Sequence, residues 1–399
     1  MTTVIIILCL QLPKMKISYM YHEKSNSPTE NSFLKTEYER SCQPKTHIFF
    51  LKTHKTGSST IINILFRYGD SRNMTFALPR ISNSFFYPKY FSPESVKGFS
   101  GKSNQAFHIM CHHMRFQLSE VEKVMPNDTF YFTILRNPIP LMESSFSYFK
   151  SFKIFQSPKS LEDFLNNSVK YYKEDIAGSH LAKNIMAFDL GFNNNGRESA
   201  KHFKLTIQAV ETMFDLVLIS DYFDESLVIL KDRLCWTLDD VLSIPLNIRS
   251  NDTKKPLTLE TQDKIKNWNQ LDWHLYNHFN KTFWNHVKRY GNKRMEREVE
   301  ELRKKRTEIS QICLQGEADP ETIHDRSLKP FQSGIAKIRG YNLKLGLKEA
   351  EEHLCRKLVT PELPYTERLL KKQYTNSPTS KPLSKNVKQL KPRNKNGAE

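Results

Sequence analysis

The sequence predicts an α/β domain with a central, mainly parallel sheet. Four short apolar runs have the length and composition of buried parallel strands. Helical patterns follow three of them, and this alternation is typical of a parallel sheet with helices packed against it. Hydrophobic residues make up 38% of the chain, which is enough for a core, so the chain is not wholly disordered.

The strand-to-helix units follow one another along the chain. The first strand leads through a turn with one glycine into a helix, and the second strand ends in two histidines. The third strand precedes a helix with proline near its start, where a missing N–H costs little. The fourth precedes a helix with acidic residues in its first turn. The predicted strands are residues 47–51, 106–111, 129–135 and 214–220, and the predicted helices are residues 61–68, 139–150 and 224–234.

The rest of the chain divides by composition. Residues 292–312 place apolar side chains on one stripe of a strongly charged segment, which predicts a long helix packed on the surface. The segment from residue 371 has almost no apolar content and is expected to be disordered. The predicted parts are an N-terminal stem (1–44), the main domain (45–312), an extension packed on it (313–370) and a basic tail (371–399).

The charge of the chain indicates an anionic partner. Sixty Lys and Arg residues against 43 Asp and Glu give a formal net charge of +17. Nucleic acid, an anionic lipid surface, or a phosphorylated or sulfated small molecule would fit this charge. The tail holds eight Lys or Arg and one Glu, so +7 of the charge lies there. Thirteen glycines and six cysteines exclude a collagen-like chain and a small disulfide scaffold.

Several features favour the secretory route. The apolar run at residues 4–10 is shorter than the ~20 residues that span a bilayer. It is either a buried strand or disordered start, or the remnant of a truncated membrane anchor. The cysteine count is even, and Cys313 and Cys355 are the pair that we expect first to form a disulfide, with free thiols as the alternative. Five Asn-x-Ser/Thr sequons begin at Asn73, Asn127, Asn166, Asn251 and Asn280.

The first segment that carries chemistry is residues 51–60, which read Leu-Lys-Thr-His-Lys-Thr-Gly-Ser-Ser-Thr. Here a buried strand enters a helix through a turn rich in lysines and hydroxyls. Backbone N–H groups at a helix N-terminus favour an anion such as phosphate or sulfate. Lys55 would add a positive charge. Because the lysines precede the only glycine, this is not a Walker A loop. A capped helix start with surface lysines is the alternative.

The second segment places Arg136 at the end of the third strand and Ser144 about two turns into the next helix. Ligands of open parallel sheets bind at the carboxyl ends of the strands, so the first and second segments face the same edge. An arginine there suits forked recognition of a phosphate. An ordinary strand-end turn is the alternative.

The third segment, residues 107–116, brings histidines to the carboxyl end of the second strand. A histidine that titrates near neutral pH is the commonest general base. Zinc is the competing interpretation, because Cys111, His112 and His113 are adjacent. Adjacent residues rarely all bind one ion, and no CxxC or HxxxH partner is present, so no metal site is predicted.

In this order, the three segments resemble those of Golgi carbohydrate sulfotransferases. The match looks like the galactose 3-O-sulfotransferase family, which includes galactosylceramide sulfotransferase. It extends from about residue 45 to about residue 370 and involves long runs rather than single short motifs. The runs are residues 50–60, 111–116, 125–138, 143–146, 224–228 and 340–344.

The resemblance implies a P-loop-like, three-layer sulfotransferase fold and the donor PAPS, the 3′-phosphorylated adenylyl sulfate. Lys55 matches the lysine near the bridging oxygen of the leaving phosphate. His113, in its His-x-Arg-Phe context, matches the base of related uronyl and heparan 2-O-sulfotransferases, and His112 and His108 are the alternatives. The donor-binding residues implied are Lys52, Thr53, Lys55, Thr56, Gly57, Ser58, Ser59, Thr60, Arg136 and Ser144.

The implied reaction is in-line transfer of the sulfuryl group of PAPS to the 3-hydroxyl of a β-galactose. His113 would take the proton and Lys55 would stabilise the departing adenosine bisphosphate, with no metal. The implied acceptors are glycolipids such as galactosylceramide or glycoprotein glycans, with a slight preference for the latter. The resemblance also implies the Golgi membrane with a lumenal catalytic domain and type II topology, although we expect the anchor within residues 1–44 to be truncated or absent.

Other classes of protein remain as alternatives. A nucleotide kinase or NTPase would need a lysine after the glycine of its loop. A non-enzymatic polyanion or heparin binder would show basic residues interleaved with aromatics, or a known binding module, and neither is found. A uronyl or heparan-type 2-O-sulfotransferase would use the same donor. No nucleic-acid partner is predicted.

Overall fold

The computed structural model describes residues 42–81, 83–101, 106–196 and 198–374. Residues 1–41 of the predicted stem and all but the first four residues of the predicted tail lie outside these ranges, as does the apolar run at residues 4–10. In the described ranges the strands are β1 (Ile48–Leu51), β2 (Phe76–Ala77), β3 (Ile109–Met110), β4 (Phe130–Leu135), β5 (Leu216–Ile219), β6 (Ile248–Arg249), β7 (Leu314–Ala318) and β8 (Ile338–Leu343).

Helices separate these strands and flank the main sheet. In the same ranges they are α1 (Ser58–Ser71), α2 (Leu118–Val121), α3 (Pro138–Tyr148), α4 (Lys153–Gln156), α5 (Leu161–Asn166), α6 (Ser168–Tyr171), α7 (Ile185–Asp189), α8 (Ala200–Met213), α9 (Phe223–Leu234), α10 (Leu238–Val241), α11 (Leu259–Trp268), α12 (Gln270–Tyr290), α13 (Asn292–Cys313), α14 (Glu349–Val359) and α15 (Glu362–Tyr374).

The central sheet confirms the predicted α/β fold. Its order is β2-β3-β1-β4-β5, and every pairing in it is parallel. All four residues of β1 are buried, as expected for an inner strand covered on both faces. The four predicted strands are β1, β3, β4 and β5, and the short edge strand β2 was not predicted. Because neighbouring strands are parallel, the loops after β1, β3, β4 and β5 emerge at one edge.

A second sheet lies in the C-terminal part and was also not predicted. It has the order β6-β8-β7 with antiparallel pairing. Its core is held by the disulfide between Cys313 and Cys355, which confirms the predicted pair. The long helix predicted at residues 292–312 is α13, whose Met295 and Leu302 are buried.

The C-terminal helices pack against α1. The Asn63 amide in α1 donates to the carbonyl oxygen of Lys357, at 2.9 Å. Asp70, near the end of α1, accepts from the Lys357 and Lys372 ammonium groups at 2.7 and 2.8 Å. Helix α15 ends at Tyr374, so it continues four residues into the segment assigned to the tail. None of the helices in the described ranges is both long and apolar enough to cross a membrane.

Candidate active site

A cavity of about 1770 Å³ opens at the carboxyl edge of the main sheet. Its walls come from the loops after β1, β3, β4 and β5 together with β6, β8 and the start of α15. Ligands of open α/β sheets bind at this edge. The predicted residues that line the cavity are Lys52, Lys55, Gly57, Ser58, Ser59, Thr60, His113, Arg136 and Ser144.

The loop after β1 is held in a shape that exposes its backbone. Gly57 has φ 78°, the left-handed region that favours glycine, and it immediately precedes the first turn of α1. Lys55 also has a positive φ, of 61°. The Arg136 guanidinium donates to the carbonyl oxygen of Lys55 at 2.8 Å. The loop after β4 therefore fixes the loop after β1, and the N-terminus of α1 faces the cavity.

Most hydroxyls of this loop hold the loop itself. Thr53 donates to the carbonyl oxygen of Ile134 at 2.5 Å, and the hydroxyls of Thr56 and Ser58 donate to the carbonyl oxygen of Thr53 at 3.1 and 2.9 Å. Thr53 and Thr56 are buried and lie outside the cavity wall. Their structural position therefore gives them a role in shaping the loop, whereas the sequence placed them among donor-binding residues.

Lys55 extends into the cavity over the ring of Tyr148, with its ammonium nitrogen 3.6 Å from the ring centre. Burial lowers the pKa of Lys55 to about 7, helped by the positive charges of Arg136 and Arg249. The lysine is therefore poised to gain a proton when negative charge enters the cavity.

Lys52 is paired within the protein. Its buried ammonium group forms an ion pair with Glu362, from the first turn of α15. Burial raises the pKa of Glu362, but the charges of Lys52 and His112 outweigh that effect and leave it below its ordinary value. Glu362 is thus an anion that neutralises Lys52. The two residues are 310 positions apart, and the sequence did not indicate their contact.

The three candidate histidines of the third segment occupy different places. His113 lines the cavity, and its ring stacks on that of His54 with centroids 3.9 Å apart. His112 is fully buried with its Nε2 2.9 Å from the Thr366 hydroxyl, and His108 precedes β3 and accepts from the Thr75 backbone N–H. Neither His112 nor His108 is part of the cavity wall.

The protonation state of His113 allows its ring to accept a proton. Burial and the neighbouring His54 and Lys52 hold the pKa of His113 well below its ordinary value, so its ring is neutral. Its Nδ1 is buried and has no hydrogen-bond partner among the described residues.

A second imidazole in the cavity belongs to His54, which the sequence did not indicate as a site residue. Its Nδ1 lies 2.9 Å from the buried carboxylate of Asp189, which also accepts the His54 backbone N–H at 2.8 Å. The Tyr87 hydroxyl donates to the same carboxylate at 2.9 Å. A carboxylate on Nδ1 orients the ring and leaves Nε2 free to accept a proton. The sequence shows His54 only as a loop residue, because its partner is 135 positions away.

No cluster of His, Cys, Asp or Glu side chains that could hold a metal ion occurs in the described ranges. Cys111, His112 and His113, the adjacent residues considered for zinc, do not converge. Cys111 is buried, and His112 and His113 face different surroundings.

Comparison with known proteins identifies relatives. A family model described as Galactose-3-O-sulfotransferase matches residues 2–373. Galactose-3-O-sulfotransferase 2 of Mus musculus is 45% identical over 342 residues, which cover 83% of this chain and 86% of that protein. Galactosylceramide sulfotransferase of Homo sapiens is 41% identical over 332 residues, which cover 81% of this chain and 78% of that protein. Galactose-3-O-sulfotransferase 4 of Homo sapiens is 36% identical over an alignment of 425 residues, which covers 86% of this chain and 87% of that protein.

The parallel sheet, the cavity at its carboxyl edge and these relatives together define the class of the protein, which is a sulfotransferase. Within that class the chain belongs to the galactose-3-O-sulfotransferase family. The resemblance carried by its sequence motifs is therefore confirmed.

Proposed function

We propose that this protein transfers the sulfuryl group of PAPS to the 3-hydroxyl of a β-galactose residue. The observation that carries the proposal is the convergence of Lys55, Arg136 and the stacked imidazoles of His54 and His113 on one cavity. Cationic groups and a helix N-terminus suit a nucleotide with several negative charges. The neutral imidazole of His113 beside them suits removal of a proton from a sugar hydroxyl.

The residues present fit such a donor. The N-terminus of α1 and Lys55 would hold the 5′-phosphosulfate, and Arg136 with Ser144 would hold the 3′-phosphate. A cavity of about 1770 Å³ has room for a nucleotide and a sugar together. Alignment of donor and acceptor in one enclosed site supplies a large part of the rate enhancement in such transfers.

In the proposed reaction the 3-oxygen of galactose attacks sulfur from the side opposite the departing phosphate. A bond from that oxygen to sulfur forms as the bond from sulfur to the bridging oxygen breaks. The hydroxyl proton passes to an imidazole, and the electron pair of the broken bond stays on the adenosine bisphosphate. Lys55 and the backbone N–H groups of α1 stabilise this charge, and a group of this kind typically contributes about 2.7–4 kcal/mol.

Two imidazoles compete for the role of base. His113 is neutral and has an unpartnered Nδ1 among the described residues, whereas His54 is oriented by Asp189. We retain His113 as the base and assign His54 to its support, since the stacked ring of His54 holds His113 in place. Replacement of either should slow transfer. His113→Ala should remove activity and spare donor binding, whereas equal donor binding with full activity would exclude His113.

The acceptor is proposed from the names of the relatives. The name of one relative specifies galactosylceramide, and the names of others specify galactose. We favour terminal β-galactose on glycoprotein glycans, with galactosylceramide and lactosylceramide as the glycolipid alternatives. We also propose the Golgi lumen as the location, with type II membrane attachment through residues N-terminal to the catalytic domain.

Transfer of labelled sulfate from PAPS to a panel of acceptors tests the proposal. The panel should hold galactosylceramide, lactosylceramide, terminal β-galactosides of N- and O-glycans, and a uronic-acid oligosaccharide. We expect label on the 3-hydroxyl of at least one galactoside. No transfer to any galactoside, or label on the uronic acid alone, would overturn the proposal. Deletion of residues 375–399 should leave transfer intact, and a polyanion binder would instead lose its salt-dependent binding.

A further inference from the structure

Arg249 is a cavity residue that no sequence motif indicated. It is the last residue of β6, in the second sheet, where it pairs with Ile338 of β8. Its side chain is nine-tenths buried and lines the cavity. The second sheet thereby places a cation opposite the loops of the main sheet.

One side of the Arg249 guanidinium is paired and the other is not. Its Nη2 donates to the carboxylate of Glu143, in α3. Its Nη1 is buried and has no hydrogen-bond partner among the described residues. Buried polar atoms are nearly always hydrogen-bonded, so an orphaned charged donor on a residue that lines a cavity indicates a missing acceptor.

The position of Glu143 indicates which acceptor is missing. Glu143 immediately precedes Ser144 in α3, and Arg136 lies just before the same helix. Arg249 and Arg136 are also the neighbouring cations whose charges add to burial in lowering the pKa of Lys55. The three basic side chains therefore share one electrostatic environment. Glu143 offsets part of their repulsion, so the excess positive charge calls for an anionic ligand.

We propose that Arg249 is a donor-binding residue whose free Nη1 donates to the 3′-phosphate of the nucleotide, beside Arg136 and Ser144. This inference rests on the proposed PAPS-dependent function. It also gives the second sheet a role in donor recognition. In this arrangement Glu143 holds the guanidinium in a fixed orientation, as expected where an arginine recognises a phosphate through a planar fork.

Binding of adenosine 3′,5′-bisphosphate and of adenosine 5′-monophosphate to the full chain, measured by isothermal titration calorimetry, tests the proposal. Arg249→Met should weaken bisphosphate binding about 10- to 100-fold, because a hydrogen bond to a charged group is lost. Monophosphate binding should change less than about twofold. Arg297→Met, a change on the exposed face of α13, is the control for loss of one positive charge and should alter neither affinity.

Variants of Glu143 provide a second test in case Arg249→Met does not fold. The double variant Arg249→Met with Glu143→Gln leaves no unpaired buried charge, and it should show the same selective loss. Glu143→Gln alone keeps the guanidinium and should retain most of the bisphosphate affinity.

The outcomes distinguish failure of this inference from failure of the proposed function. If the unchanged protein does not bind the bisphosphate, the proposed function fails. If it binds and the Arg249 variants bind equally well, only this inference fails. Equal weakening of both nucleotides, or a loss in Glu143→Gln as large as in Arg249→Met, would overturn the assignment to the 3′-phosphate.

Discussion

Donor binding should make Lys55 take up a proton. The pKa of Lys55 is lowered to about 7 by burial and by the positive charges of Arg136 and Arg249. A phosphate charge about 4 Å from the ammonium nitrogen contributes about 4 kcal/mol at an effective dielectric constant of 20, or about three pKa units. Binding of adenosine 3′,5′-bisphosphate should therefore return the pKa of Lys55 to about 10.

The size of this uptake depends on pH in a defined way. The free protein holds the Lys55 proton in about nine-tenths of molecules at pH 6, half at pH 7 and one-tenth at pH 8, and the complex holds it in nearly all. Uptake should be about 0.1, 0.5 and 0.9 proton per bisphosphate at these three pH values. The apparent affinity should accordingly fall as pH rises above 7, because binding must then supply the proton.

Calorimetric titrations in Hepes and in Tris, which differ in ionisation enthalpy, measure the protons taken up. At pH 8 the phosphates of the ligand are already fully ionised, since their second pKa is about 6. Lys55→Met is the control, and it should abolish most of the uptake at pH 8. If the variant takes up as many protons as the unchanged protein, or if the unchanged protein takes up fewer than about 0.3 at pH 8, the assignment of Lys55 is wrong.

Three further results are expected. Asp189→Asn should reduce turnover about 10²-fold while sparing bisphosphate affinity, because His54, which supports the base His113, loses the carboxylate that orients it; unchanged turnover would show that this pair is only structural. Glu362→Gln should lower the free energy of unfolding by about 3–5 kcal/mol, because the Lys52 ammonium is left buried without its partner, and an unaltered denaturant midpoint would contradict this. Cys355→Ser should lower the free energy of unfolding by at most about 4 kcal/mol, as expected for a disulfide that closes a loop of 42 residues. Ser310→Ala, in the neighbouring helix α13, is the comparison variant.

Short-range patterns are enough to predict four of the five strands of the main sheet and one edge of the site. A buried parallel strand can be recognised in the sequence as an apolar run. Polar residues that follow such runs lie at the carboxyl edge of the sheet. This reasoning places Lys55, Arg136 and His113 at one edge of the sheet, and all three line the cavity found there. The disulfide between Cys313 and Cys355 was also predicted, because both flank one segment.

What the sequence could not predict depends on contacts between distant positions. The His54–Asp189 pair and the Lys52–Glu362 pair join residues 135 and 310 positions apart. No periodicity encodes such a partner, because the pairing is decided by how whole helices pack. Strand β6 is only two residues long, too short for an alternating pattern, so Arg249 could not be placed in the cavity.

The contact of α15 with the loop after β1 has a consequence for how the protein is made. During synthesis the loop after β1 leaves the ribosome long before α15 exists, and Lys52 then lacks Glu362 as its counter-ion. The edge strand β2 likewise lacks the hydrogen bonds of Gln373 at that stage. The Gln373 side chain accepts from the backbone N–H of Phe76 and donates to its carbonyl oxygen. The chain therefore completes its catalytic cavity only after α15 has been synthesised. A nascent chain that stops before α15 has the sheet but not a finished site.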